Sequence, residues 1–139
     1  SDYTVLAMVG VDATGQRACV ERVEWGHWTL DEIRRMVWSF AEPLRIKPAI
    51  RVEGNQGGDT WLDSLAPWPP GVDDVRIVHA REAKDLRIAR AHNHYRRRAV
   101  WHGYPDVELE RVMCEWPRGR HDDVVDAVAG ALAWAFPPA

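Results

Sequence analysis

Residues 3–25 read Y-T-V-L-A-M-V-G-V-D-A-T-G-Q-R-A-C-V-E-R-V-E-W. Tyr3 to Val11 is an almost unbroken apolar run, the pattern of a buried strand. Asp12-Ala13-Thr14-Gly15 is a turn signal, because Gly15 tolerates positive φ and Asp and Thr side chains bond their own backbone. Arg17 to Trp25 follows with apolar Ala18, Val20 and Val23. Two such runs joined by a short turn predict a β-hairpin at the start of the fold.

Downstream, the period changes from two to 3.6. Thr29-Leu30-Asp31-Glu32 is a capping box. Ile33, Met36, Val37 and Phe40 then fall at helical spacing, and Pro43 and Pro48 stop the helix. Ala49 to Val52 predicts a short strand, and about Asp59 to Leu65 a helix. Pro67, Pro69, Pro70 and Gly71 form a stiff loop before a strand at Val75–Val78. Helices are expected at Glu82–Arg97, with Leu86, Ile88 and Ala89 inward and the bases outward. Two more are expected at Val107–Trp116 and Asp122–Trp134. The order ββαβαβααα is that of an α/β protein.

The chain has 139 residues, 46% apolar and 28% charged, which fits one globular domain at residues 1–139. No apolar run reaches ~18 residues, so no membrane span is expected. No basic n-region precedes an apolar h-region, so no secretory signal is expected either. No G-x-x-x-x-G-K-[ST] is present. The chain starts on Ser1 rather than Met, as a piece of a longer protein would. Cys19 and Cys114 stand in apolar contexts without a C-x-x-C, as reduced core thiols would.

The net charge of −3 hides a segregation. Between Arg76 and Arg98 there are eight bases against two acids. Lys84 and Arg87, and Arg90, His94 and Arg97, recur at helical spacing. A solvated helix face or a phosphate-contacting face would both look like this.

Two acidic features could carry chemistry. Glu53 ends a strand before a glycine-rich turn, where open α/β sheets gather working residues, although a solvated strand end would look the same. Asp122, Asp123 and Asp126 crowd the start of a Val/Ala-rich helix. The helix dipole and N-capping account for one or two of them. Asp126, inside the apolar surface, is harder to explain that way. Carboxylates this close repel unless protonated or bridged by a cation, and Mg²⁺ suits such oxygen donors. Bases beside a metal-binding acidic cluster would suit phosphodiester hydrolysis.

In order and spacing, several stretches resemble the nuclease domain of tailed-phage terminase large subunits. They are Val52-Glu53-Gly54-Asn55-Gln56-Gly57-Gly58, Ala80-x-x-x-Lys84-x-x-Arg87, Leu109-Glu110, Trp116-Pro117 and Asp122-Asp123-Val124-Val125-Asp126-Ala127. The resemblance covers nearly the whole chain. It implies a ribonuclease H-like mixed sheet flanked by helices, lacking its first strand in this chain. It also implies a C-terminal domain of a longer viral protein with an ATPase domain upstream. The activity implied is a Mg²⁺- or Mn²⁺-dependent endonuclease. It would cut concatemeric double-stranded DNA during packaging, in the host cytoplasm, with two ions. The partners implied are DNA, the ATPase domain, the portal and the small terminase subunit, with no membrane.

By the same resemblance, Glu53, Asp123 and Asp122 are the catalytic metal ligands and Asp126 a weaker one. Lys84 and Arg87 match the family's basic pair, and Arg90, Arg97 and Arg98 extend the DNA-binding set. The family's first acid would precede Ser1, which leaves Asp2 near the site, an exposed strand edge, and a fragment that is inactive or weakly active alone. In a different register, Asp12 would be that acid. A Holliday-junction-resolvase-like nuclease and a non-catalytic DNA- or portal-binding module are the alternatives. A domain whose acids serve stability alone is a third.

Overall fold

The structure, a computed structural model, describes residues 4–54, 58–79 and 82–137. Asp2, Asn55–Gly57 of the glycine-rich motif, and Ala80 lie outside them. The protein is mixed α/β, with five helices and a mixed sheet among the described residues. It divides into two compact units. One holds the chain up to Gly26 and from Glu82 onward, and the other holds the stretch between. No described helix is long and apolar enough to cross a membrane.

The first unit begins with the expected hairpin, β1 (Thr4–Val11) and β2 (Ala18–Gly26), paired antiparallel. Asp12 organises its turn. Its carboxylate accepts from the Thr14 hydroxyl and from the backbone N–H groups of Gln16 and Arg17. Gly15 takes a φ of 72°, the left-handed conformation the turn requires. The register slips between Met8 and Val9, so Arg22 faces Met8 while Val20 faces Val9. This bulge at Glu21 explains why Ala18, Val20 and Val23 are all buried. Strict alternation would turn Arg22 inward instead; it pairs with Glu24 at 3.5 Å.

A short parallel strand, β5 (Val100–His102), adds to β2 and gives the order β1-β2-β5. This strand was not expected. Three residues are too few to show a period, and the signals that frame it are backbone ones: Arg98 at φ 60° and the bond from Gly103 N–H to the Val20 carbonyl.

Three helices complete the unit: α3 (Lys84–Arg96), α4 (Val107–Glu115) and α5 (Asp122–Ala135). Helix α5 is its spine, with Val124, Val128 and Leu132 completely buried at a four-residue spacing. It packs on β1, α3 and α4. Leu109 and Val112 of α4 are buried in the same core, and Met113 and Trp116 flank it, as expected.

Helix α3 departs from its expected orientation. Leu86 is 49% exposed and Ala89 is also exposed, while Ile88 and Ala91 are buried. The cysteines differ as well: Cys19 is half-buried and Cys114 exposed, both as free thiols.

In the second unit, α1 (Leu30–Ala41) carries the full capping box. The Thr29 hydroxyl accepts from the Glu32 N–H, and the Glu32 carboxylate accepts from the Thr29 N–H. Ile33, Phe40 and Ala41 form its buried face. Strands β3 (Ile50–Glu53) and β4 (Val75–Val78) pair in parallel, and α2 (Gly58–Leu65) links them. Arg51 clamps Asp74 with two nitrogens at 3.0 and 3.1 Å. That contact holds the carboxylate of Asp74 below its usual range.

Candidate functional site

Lys84 and Arg87 lie one turn apart on α3, and Asp122, Asp123 and Asp126 span one turn of α5. The matched spacing sets two cations against three acids. Lys84 Nζ lies 3.4 Å from Asp122 Oδ2 and 3.3 Å from Asp123 Oδ1. One turn further along both helices, Arg87 grips Asp126. Its Nη2 is 2.6 and 2.7 Å from the two carboxylate oxygens, and Nε is 3.0 Å from one of them. Because both contacts advance together, α3 and α5 run side by side in the same direction here.

The two contacts differ in kind. Arg87 and Asp126 have side chains 12% and 10% exposed, so theirs is a buried bidentate pair. Asp126 is also the buried charged residue of the core. Lys84, Asp122 and Asp123 are 37–49% exposed and open to solvent. Burial alone would lower the Lys84 pKa. The hydrogen bond Lys84 donates to Asp123 and the charges of Asp122, Asp123 and Asp126 outweigh it and hold the ammonium above its usual range. Asp122 and Asp123 also occupy the first turn of α5, where the helix dipole favours negative charge. The N-cap is His121, whose side chain makes no capping bond.

The remaining candidates are distributed as follows. Glu53 is exposed at the carboxyl end of β3, opposite Val78 in the parallel pair. It belongs to the second unit, whereas the aspartates belong to the first. Asp12 belongs to the hairpin turn, and its four local hydrogen bonds outweigh desolvation and hold its pKa low. Arg90 pairs with Glu82 at 3.0 Å. Arg97 contacts His94 Nδ1 at 2.8 Å and lies 5.2 Å from the centre of the Phe136 ring. Arg98 is exposed. The α3 bases were expected to face outward together. Lys84 and Arg87 instead turn inward, because each meets an acid of α5 there.

Two aspartate carboxylates converging on one cationic point suit a hydrated divalent ion. Mg²⁺ is commonly held by one or two carboxylates, with water and phosphate completing its shell. Lys84 now supplies the positive charge at that point. Among the described residues, no group of three or more His, Cys, Asp or Glu could hold a metal by itself.

Beside the acids, the turn from α4 into α5 forms a hollow of about 660 Å³ lined by Arg111, Glu115, Arg118, Gly119, Arg120 and His121. The sequence reading had not singled it out. Its only signal was two arginines bracketing a glycine just before the aspartates.

No protein-family model, no curated protein and no solved structure matches this chain.

Proposed function

We propose that this chain is the nuclease domain of a tailed-phage large terminase, a divalent-metal-dependent endonuclease on double-stranded DNA with a ribonuclease H-like fold. The observation that carries the reading is the convergence of Asp122 and Asp123 on a single cationic point at the start of α5. A mixed sheet, and an exposed Glu53 at the end of a parallel strand, agree with it.

In this reading Asp122 and Asp123 hold Mg²⁺ or Mn²⁺, and Glu53 is a catalytic acid as the resemblance implies. When bound, the metal would supply an activated water and charge stabilisation at the phosphate. Lys84 holds the two aspartates to one side while the metal is away. Arg87 fixes Asp126, and with it the rotation of α5 that presents Asp122 and Asp123. Asp126 is thereby a positioning residue, since its oxygens are taken by the guanidinium.

Plasmid nicking in Mn²⁺ by the full-length protein tests the proposal. Glu53→Ala and Asp123→Asn are each expected to reduce nicking to background. Equal nicking after Glu53→Ala would sink the assignment.

One observation favours a second reading, a non-catalytic DNA-binding module. Lys84 already compensates both aspartates, so the acids serve as partners of α3 and as dipole caps. Calorimetry separates the two readings: a Mn²⁺ site lost in Asp122→Asn supports the nuclease, and no binding heat supports the module.

A further inference from the structure

We propose that the α4–α5 turn, residues 117–121, is a phosphate-binding loop, in which Arg118 and Arg120 grip the backbone of double-stranded DNA beside Asp122 and Asp123. This rests on the nuclease reading for its substrate and extends it to residues that reading does not use.

The first support is the state of the arginines. Lys84, Arg87 and Arg90 of α3, and Arg97 at its C-cap, have partners within the chain. Arg118 and Arg120 are exposed and make no side-chain hydrogen bond or ion pair among the described residues. Arg111, in the same hollow, is bound to Glu108 and Glu115. That contact covers the one carboxylate lining the hollow and leaves the two loop guanidiniums uncompensated. Guanidinium forks match phosphate oxygens, so this is the arrangement an anionic backbone would meet.

The second support is that the loop is built rather than merely exposed. The Glu115 carbonyl accepts from the Arg118 and Gly119 N–H groups at 2.9 and 3.0 Å, folding the turn back on α4. Gly119 is needed for that approach. A Cβ there would lie 2.8 Å from the Glu115 Cβ and 3.1 Å from its Oε2. The third support is position: Arg120 stands two residues before Asp122, so a strand addressed by the aspartates passes the loop.

Duplex binding measured by fluorescence anisotropy without divalent metal, across a salt series, tests the loop apart from catalysis. About 0.9 counterions are released per phosphate contact, so one lost contact at about 0.1 M salt weakens binding roughly eight-fold and lowers the log–log salt slope by about 1. Arg118→Gln with Arg120→Gln should lose at least that much. Arg17→Gln with Arg45→Gln removes the same charge from elsewhere and should lose much less. Gly119→Ala keeps every charge but lifts the loop, and it should also weaken binding; thermal melting confirms that each variant is folded.

Equal affinity and slope in the loop variant and the charge-matched control would overturn the inference, as would no duplex binding by the parent. Should that occur while Asp123→Asn still abolishes nicking, the nuclease reading stands alone. Loop-dependent binding without nicking by any variant would leave the loop as the DNA contact of a non-catalytic module.

Discussion

Asp126→Ala should be among the most damaging single substitutions in the first unit. The carboxylate it removes is bonded by three Arg87 nitrogen–oxygen contacts of 2.6–3.0 Å. The Arg87 side chain left behind is only 12% exposed. Arg87 Nη1 also reaches the Glu82 carbonyl at 3.5 Å, at the limit of a hydrogen bond. Removing one partner of a buried pair typically costs about 3–5 kcal/mol, because the remaining charge is stranded in a low dielectric. Against a typical domain stability of about 5–15 kcal/mol, that is a large fraction.

The pair as a whole is a different matter. Arg87→Met with Asp126→Leu removes both charges and keeps much of the volume, and it should be near neutral or stabilising by about 1–4 kcal/mol. Urea denaturation followed by far-UV circular dichroism, on both single variants and the double, closes the cycle. A loss below about 1 kcal/mol for Asp126→Ala, the level of an exposed ion pair, would refute the argument. Additive single losses in the double variant would refute it too.

Two further outcomes follow from the same packing. Leu132 has no exposed surface at the centre of α5, so Leu132→Ala should cost about 2–5 kcal/mol in the same urea assay. The Lys84 pKa lies above its ordinary value of 10.5 in the folded chain, so the stability it contributes is complete below that pH. It is lost as the pH rises through the folded value. Thermal melts taken upward from pH 9 should therefore fall more steeply for the parent than for Lys84→Met.

Much of the architecture was legible because it rests on local chemistry. The Thr29–Glu32 capping box and the Asp12–Gly15 turn each depend on neighbours within a few residues. Strand β5 was not legible, since its three residues are defined by pairing with β2 across the sheet. The orientation of α3 was misjudged for a related reason. Hydrophobic periodicity treats Lys and Arg as outward residues, and it therefore favoured Leu86 and Ala89 as the inner face. Lys84 and Arg87 turn inward because acids on a helix nearly forty residues away neutralise them.

The sequence by itself determined which residues could do chemistry: a strand-end Glu53, three aspartates at the start of α5, and a surplus of arginine. It also determined the α/β alternation, because periods of 2 and 3.6 are written into side-chain order. Only the tertiary structure decided which of those charges remain available. Asp126 and Arg87 neutralise each other in the core, Lys84 binds Asp122 and Asp123, and Arg118 and Arg120 stay uncommitted. The physical reason is that a charge's role depends on the opposite charge folded against it and on how much water remains between them, and neither is a property of sequence distance.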